Sequence, residues 1–398
     1  MIVHFPILAT RPYLKRVTQL YPALNSIRDR RWFKLICGAS YQHIPAIRNL
    51  TLAYTLAGAD CIDVAADPAI VAVAQEAIFA ARTLKTQTWQ RQLGQPGKNH
   101  DPLIMASLND GEDPHFRKAE FDPSSCPPDC PRPCEAVCPA QAIQLAIHPE
   151  IGVIDQRCYG CGRCIPTCPH NRIVTRSYIS TPQTLVPQLI EAGIDALEIH
   201  TQTSHYTDFK RLWQAIAPHT ASVRLIAISC PDGDRLIDYL WSLHELVHPL
   251  PCPVIWQLDG RPMSGDISSG TTHRTIKLAQ KVMESGFPGA LQLAGGTNDY
   301  TVPKLKSLGL LGTPETNKLG STSYPLTDPK SPIIGVAYGS YARVLLSPIL
   351  EPLEPSETQT DQSFQGLAYP HIEDHPDLLW AGVKLAHTLI SQLKPPPP

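Results

Sequence analysis

The sequence predicts an α/β protein built on a (β/α)8 barrel, with a small α+β domain inserted into it. Eight short apolar runs alternate with helical patterns. Each run is apolar along nearly its whole length, which is typical of parallel strands covered on both faces. Eight of the 12 cysteines lie together between the third and fourth runs. Hydrophobic residues make up 43% of the 398 residues, enough for a sizeable buried core.

The predicted strands and helices follow one another as strand–helix units. The strands cover residues 32–40, 60–65, 102–110, 194–201, 222–230, 253–260, 289–298 and 332–340. The helices cover residues 44–56, a segment opening at Asp67-Pro68, and residues 183–192, 208–216, 234–247, 272–284, 341–350 and 375–393. A doubly wound sheet is the main alternative, but no G-x-G-x-x-G motif follows a predicted strand, which disfavours a dinucleotide-binding form of that fold.

These elements divide the chain into five segments. A basic lead-in covers residues 1–31, the barrel is split between 32–120 and 177–350, the insertion covers 121–176, and 351–398 contain a proline-rich loop and the last helix. The insertion follows the third strand, so it occupies a βα loop, on the side where barrels carry their chemistry.

Composition narrows the classes of function. The formal net charge of −2 argues against a generally basic nucleic-acid binder. No run of 18 apolar residues predicts a transmembrane helix, and the opening segment lacks the features of a secretory signal. Cysteines crowded into one segment indicate metal binding in a reducing compartment. We therefore expect a cytoplasmic protein, with any membrane contact peripheral.

The second half of the cysteine segment matches the bacterial ferredoxin motif. Its spacing is C-x2-C-x2-C-x3-C-P, formed by Cys158, Cys161, Cys164 and Cys168. In that motif three closely spaced thiolates bind one iron–sulfur cluster, and the cysteine before proline binds the other. The spacing therefore predicts a [4Fe-4S] cluster.

The first half repeats the motif with wider spacers, in Cys126, Cys130, Cys134 and Cys138. A helix from Pro139 to Leu145 and a strand from Gly152 to Asp155 would complete a ferredoxin-like order of elements. Cross-ligation then gives one cluster to Cys126, Cys130, Cys134 and Cys168, and the other to Cys138, Cys158, Cys161 and Cys164. The three-residue spacers leave the first cluster open between [4Fe-4S] and [3Fe-4S].

Polar residues at the predicted strand ends offer a second candidate site. These are Asp63, Asn109, Asp110, Glu198, His200, Gln257, Asp259 and Gln292. Alternation along the fourth strand puts Glu198 and His200 on one face, where they could form an acid–base pair. The alternative is a hydrogen-bonded polar layer without catalytic use.

Glycines after the last two strands predict a phosphate site. Gly295 and Gly296 follow the seventh strand, and Gly339 and Ser340 follow the eighth. Loops at these positions commonly bind phosphate in barrels. A sugar phosphate is one candidate ligand, and flavin mononucleotide is a less favoured one. Simple turn glycines are the alternative.

Together with the cysteine motifs, three stretches carry a resemblance over essentially the whole chain: MIVHFPILATRPYLKR, FKLICGASYQ and AGADCIDVAADP. The sequence resembles the cyanobacterial light-dependent period family, iron–sulfur components of the circadian clock input pathway. The resemblance implies redox sensing that adjusts the clock's period to light. It also implies a clock-input sensor histidine kinase and the clock oscillator proteins as partners.

Two classes of function remain. In the preferred one the protein is not an enzyme but a redox sensor, exchanging electrons with a quinone or a soluble carrier. In the other it is an iron–sulfur oxidoreductase, with a flavin or phosphate-bearing ligand in the barrel.

Overall fold

Eight parallel strands close into a barrel, which confirms the predicted fold class. The computed structural model describes residues 22–37, 43–88, 100–111, 115–138, 140–155, 157–158, 160–261, 269–311, 333–353 and 371–394. The barrel strands are β1 (Trp32–Ile36), β2 (Cys61–Ala65), β3 (Leu103–Asn109), β6 (Ala196–His200), β7 (Leu225–Pro231), β8 (Val254–Asp259), β9 (Ala290–Ala294) and β10 (Ile333–Tyr338). They neighbour one another in chain order, and β1 pairs with β10 to complete the ring.

The described residues form twelve helices, most of which cover the outside of this ring; the first lies under the barrel, and the two four-residue helices belong to the insertion. They are α1 (Pro22–Arg28), α2 (Ile44–Ala57), α3 (Pro68–Thr88), α4 (Pro133–Ala136), α5 (Cys164–Thr167), α6 (Pro182–Glu191), α7 (Tyr206–Ile216), α8 (Leu236–Val247), α9 (Ser269–Glu284), α10 (Thr301–Ser307), α11 (Ser340–Leu350) and α12 (Pro376–Leu393). Gly58 ends α2 in the left-handed region, at φ 101°, as a helix C-terminus favours. No helix among the described residues is long and apolar enough to cross a bilayer.

Two apolar cores hold the barrel together. The larger lies between the strands and the surrounding helices, as parallel strands require. The smaller fills the amino-terminal half of the barrel's interior, where Leu24 and Ile27 of α1 pack against Trp32 and Leu103. Helix α1 therefore closes the bottom of the barrel, while residues 1–21 of the predicted basic lead-in lie outside the described residues.

The insertion is framed by a strand pair that the sequence did not predict. Strands β4 (His115–Glu120) and β5 (Val174–Ile179) pair antiparallel, with Lys118 opposite Arg176. The sheet therefore extends beyond both predicted bounds of the insertion, residues 121 and 176. Phe116 and Tyr178 stack on each other at 5.3 Å and pack against the large barrel core, which anchors the insertion to the barrel.

Two predicted elements of the insertion are wrong. Residues 140–145 form no helix, because Gln141 is left-handed at φ 49° and the Ala142 N–H donates to the Cys138 sulfur instead of continuing a helical turn. Residues 152–155 form no strand. The Ile154 N–H donates to the Ala142 carbonyl at 2.7 Å, but the Ile154 carbonyl accepts from Arg157 and Cys158 in a local turn, so the ladder of a strand does not develop.

A buried carboxylate at the bottom of the barrel links α1 to Lys394, the residue after α12. Asp60 accepts hydrogen bonds from Ser26 (2.7 Å) and from the Phe33 N–H (2.8 Å). It also lies 2.7 Å from the Lys394 amine and 3.2 Å from His100. Burial alone would raise the pKa of Asp60, but Lys394 and His100 lower it below the ordinary value.

Replacing this carboxylate should therefore destabilise the fold in a pH-dependent way. We expect Asp60→Asn to cost about 3 kcal/mol at neutral pH, since it leaves the half-buried Lys394 ammonium without its charge partner. Because the folded pKa lies below the unfolded value of about 3.9, the difference should be complete above that pH and disappear as pH falls through the folded value. Urea unfolding from pH 7 to pH 3 measures it.

Asp232→Asn is the matched control, because Asp232 pairs with Lys281 at the exposed surface. It should change stability by about 0.5 kcal/mol at most. A cost at Asp60 equal to that of this control would contradict the structural role given to the buried carboxylate.

A glycine contact joins the second cysteine motif to β4. Gly160 is left-handed at φ 78°, and a Cβ there would lie 1.7 Å from the Arg117 carbonyl oxygen. Gly286 is equally left-handed, at φ 71°, but faces open space. Gly286→Ala should therefore cost only the backbone strain, about 1–2 kcal/mol.

Gly160→Ala should add a backbone clash to that strain and displace the second motif from β4. We expect a larger fall in melting temperature and less iron bound per chain, whereas Gly286→Ala should keep its full iron content. Thermal unfolding and iron analysis of both variants make the comparison. Equal iron in the two would show that the motif does not depend on this contact.

Candidate metal centre and barrel interior

Four cysteines from both motifs line one pocket of the insertion. Cys138 from the first motif lies there with Cys158, Cys161 and Cys164 from the second. Gly162 beside them is left-handed, at φ 74°. Burial raises the pKa of Cys164 to about 12, and the neighbouring thiols of the set add to that rise. A positive charge between these thiols would reverse the shift, because a metal deprotonates the thiols that bind it.

The other four cysteines form a second group. Cys134 has Cys168 and Cys126 as its electrostatic neighbours, and burial raises its pKa to about 11. Cys126 also contacts Cys130. The structure therefore brings together each set that the ferredoxin motif implies, in which the last cysteine of each motif lies with the first three of the other.

The two halves of the insertion repeat each other at an interval of 30 residues. Cys138 and Cys168 follow the two short helices, and the residues three positions later, Gln141 and Asn171, are both left-handed at φ 49° and 51°. In each half the backbone N–H four positions after the cysteine donates to its sulfur, at 3.2 Å in the first and 3.4 Å in the second.

Backbone donors favour the ionised form of the second of these thiols. Burial raises the pKa of Cys168, but N–H groups from Arg172, His170, Ile173 and Asn171 outweigh it and lower the pKa below the ordinary value. The Ala119 N–H of β4 likewise donates to the Cys158 sulfur, at 3.4 Å. Such N–H···S bonds are among the levers that set the potential of an iron–sulfur cluster.

The donor set fits a multi-iron cluster better than a single ion. Among the described residues, no three His, Cys, Asp or Glu side chains converge closely enough to hold one metal ion. A tetrahedral Zn²⁺ site needs four ligands about 2.3 Å from one centre. Iron–sulfur clusters are bound through thiolates on different irons, so their ligands lie farther apart, and all eight thiols here are free of disulfides.

A separate group of charges lies inside the upper half of the barrel. The Lys34 ammonium contacts Glu198 and lies 3.3 Å from Asp63, and all three side chains are buried. Burial and Glu198 raise the pKa of Asp63 to about 7, against the opposing effect of Lys34. Burial alone would raise the pKa of Glu198, but Lys34 and His200 lower it to about 2. The two carboxyl groups therefore share one proton near neutral pH.

A chain of hydrogen bonds crosses the same interior from β1 to β8. Trp32 donates to Gln292 (2.6 Å), and Gln292 donates to Gln257 (2.6 Å). Gln257 then donates to Ser229 and to Asp259, at 3.2 Å each. Trp32 can only donate and a carboxylate can only accept, so these two ends fix the direction of every bond between them.

His200 links this chain to the charged group. Its Nδ1 lies 3.1 Å from the Ser229 hydroxyl, and its Nε2 lies 3.8 Å from Glu198 Oε1. The side chain is 29% exposed, so it reaches the open carboxyl end of the barrel. The predicted pairing of Glu198 with His200 is thus a real proximity, although 3.8 Å is too long for a hydrogen bond.

Most of the predicted strand-end residues meet in this interior, and two do not. Asn109 turns outward and accepts a bond from the Gly111 N–H. Asp110 pairs instead with His205, at 3.0 Å. Lys34 is a site residue that the sequence patterns above do not predict. A lysine at an inward position of a strand that is otherwise apolar was the signal that could have identified it.

The glycine loops predicted to bind phosphate lie side by side. Thr297, next to Gly296, donates to the Ala337 carbonyl near the end of β10 (2.6 Å). Gly339 stands at the start of α11 with no side-chain cap, and Arg343 donates to the Ser340 hydroxyl (3.1 Å). Phosphate binding at these loops stays a prediction.

Comparison with known proteins places the chain in a family. A model described as the LdpA Fe-S cluster-binding domain matches residues 126–179, and one described as the light dependent period A C-terminal domain matches residues 188–392. The chain is also 46% identical over 371 residues to light dependent period A of Synechococcus elongatus, covering 93% of each protein. The insertion is thus an iron–sulfur-binding domain, and the chain belongs to the light-dependent period A family.

Proposed function

We propose that the protein is an iron–sulfur redox sensor in the input pathway of the cyanobacterial circadian clock. The observation that carries this proposal is the pair of four-cysteine groups in an insertion at the carboxyl end of the barrel. An iron–sulfur cluster, when bound, gains and loses single electrons. The printed name of the Synechococcus relative, light dependent period A, supports a role in setting the clock's period by light.

Each group would hold one cluster. Cys138, Cys158, Cys161 and Cys164 would hold a [4Fe-4S] cluster. Cys126, Cys130, Cys134 and Cys168 would hold either a [4Fe-4S] or a [3Fe-4S] cluster, because the wider spacers of the first motif leave the iron count open. The electrostatic contacts within each group support this division over one in which each motif binds its own cluster.

Exposure of the thiols would let electrons enter from solution. Cys161 is exposed, and Cys126, Cys130 and Cys168 are half-buried. A quinone or a soluble carrier in the cytoplasm, or at a membrane surface touched only peripherally, would be the electron source. One unit of charge gained there changes the energy of a partly exposed contact nearby by on the order of 1 kcal/mol, which is about fivefold in a binding constant.

That charge change would be transmitted through binding and not through turnover. The partners proposed from the family are a clock-input sensor histidine kinase and the oscillator proteins. An oxidoreductase is the second candidate, and the specific observation that favours it is the buried Lys34–Glu198 group at the carboxyl end of the barrel.

Cross-ligation predicts which cluster each mutation damages. Cys168→Ser should lower the amount of cluster bound by Cys126, Cys130 and Cys134. Cys138→Ser should lower the amount of cluster bound by the second motif. Iron per chain and the electron paramagnetic resonance of each reduced variant measure this. Cys252→Ser, at an isolated buried cysteine, is the matched control and should keep both signals. If each mutation damages its own motif's cluster, the division proposed above is wrong.

Redox-dependent binding is the test of the sensor function itself. The affinity of the full chain for a clock-input histidine kinase should differ about fivefold between oxidised and reduced clusters at low salt, and less at high salt. Titration calorimetry in each state measures it. In the Cys138→Ser variant, the affinities in the oxidised and reduced states should differ less than they do in the unaltered chain. Equal affinities in both states, with quinol oxidation at ordinary enzyme rates, would favour the oxidoreductase instead.

A further inference from the structure

A helix on the outside of the barrel ends in two histidines that lie one turn apart. The end of α8 reads His244-Glu245-Leu246-Val247-His248, which is the pattern H-E-x-x-H. On a helix this spacing puts both imidazoles on one face, as in the zinc sites of metalloproteases. Because so short a pattern also arises by chance, the surroundings of the two rings decide whether they form a site.

The two imidazole rings lie next to each other. Their centroids are 4.0 Å apart, and their planes are 24° from parallel. A tetrahedral ion with bonds of about 2.0 Å to each imidazole joins two nitrogens that are roughly 3.3 Å apart. The rings are therefore close enough to bind one ion after a small movement of their side chains.

Both rings are held in place by their neighbours. The His248 Nδ1 lies 2.9 Å from the His244 carbonyl oxygen, which can only accept, so Nδ1 carries a hydrogen and Nε2 is the nitrogen available to a metal. A bond of this kind orients most metal-binding histidines. The His244 ring makes edge-to-face contacts with Trp241 and Phe287, at centroid distances of 5.9 Å and 5.8 Å. Binding an ion would therefore cost little ordering of these side chains.

The electrostatic surroundings of the pair favour a cation. Burial and His248 lower the pKa of His244 below its ordinary value, so its ring is neutral and able to bind a metal at pH 7. Glu245 contributes a negative charge beside this ring. The last turn of α8 also carries the negative end of the helix dipole. His248 is exposed, so an ion can reach the pair from solution.

We propose that His244 and His248 bind one divalent transition-metal ion, such as Zn²⁺, Ni²⁺ or Cu²⁺, with water or an external donor completing its coordination. Imidazole suits these ions, whereas Mg²⁺ and Ca²⁺ prefer oxygen ligands. Among the described residues, no third His, Cys, Asp or Glu side chain joins the pair, so the ion keeps open positions.

This site is independent of the proposed redox function. Helix α8 runs from the carboxyl end of β7 to the amino end of β8, so the two histidines lie at the end of the barrel opposite to the insertion. Loss of the clusters would leave both histidines in place, and loss of the histidines would leave all eight cluster cysteines.

The probe is Ni²⁺, added to the tag-free full chain with its clusters loaded, so that thiols bound to iron do not compete for it. Titration calorimetry should show one Ni²⁺ per chain. His248→Gln removes one ligand and should weaken Ni²⁺ binding at least about tenfold, because a second ligand on the same helix acts at a high effective concentration. His244→Phe keeps a ring against Trp241 and Phe287 and should weaken binding by a similar factor.

His273→Gln is the matched control, because His273 is an exposed histidine of α9 with no second histidine one turn away. It should bind Ni²⁺ as the unaltered chain does. Cu²⁺ electron paramagnetic resonance should show two imidazole nitrogens on one ion in the unaltered chain. Unchanged Ni²⁺ affinity in either His248→Gln or His244→Phe, a single imidazole nitrogen on Cu²⁺, or no Ni²⁺ binding by the unaltered chain would each overturn the proposal.

Discussion

Pairing of β1 with β10 closes the barrel, and the position of every functional side chain depends on that closure. Gly335 permits it, because a Cβ there would lie 2.0 Å from the carbonyl oxygen of Trp32, its partner in the parallel register. The closed ring directs all eight carboxyl ends to one rim. The insertion follows β3 at this rim, so the thiols and the interior charges occupy the same end of the molecule.

The barrel buries charged side chains at a free-energy cost that the fold itself does not require. Buried ion pairs seldom stabilise a protein more than well-packed apolar side chains of similar volume would. Lys34 and Glu198 lie above an apolar layer that already fills the lower half of the barrel with ordinary core residues. A charged layer held by eight rigid strands therefore indicates a site that handles charge or protons, rather than one that supports the barrel.

Regular parts of the chain could be predicted from the sequence, and irregular parts could not. All eight barrel strands were predicted because they are continuous apolar runs separated by helices. Strand β4 was missed because its residues, HFRKAE, are polar on both faces, and its pairing with β5 spans more than 50 residues of sequence. The cysteine groups follow from spacing alone. Lys34 was not recognised, since one buried lysine has no motif and acquires meaning only when the closed ring brings Glu198 and Asp63 to it.

The two halves of the insertion have similar backbone conformations, but their cysteines lie in different surroundings. Arg132 and Gly162 both stand two residues before the cysteine of a short helix, and both are left-handed, so the repeat extends to backbone that a side chain adopts only under strain. Arg132 places a positive charge beside Cys126, whereas the second group is closed on one side by β4 and the Ala119 N–H. Charge, hydrogen bonding and exposure set the potential of a cluster. Clusters bound at the two thiol groups, as proposed above, should therefore have unequal potentials despite the backbone repeat, so that one electron from outside settles at one group before the other.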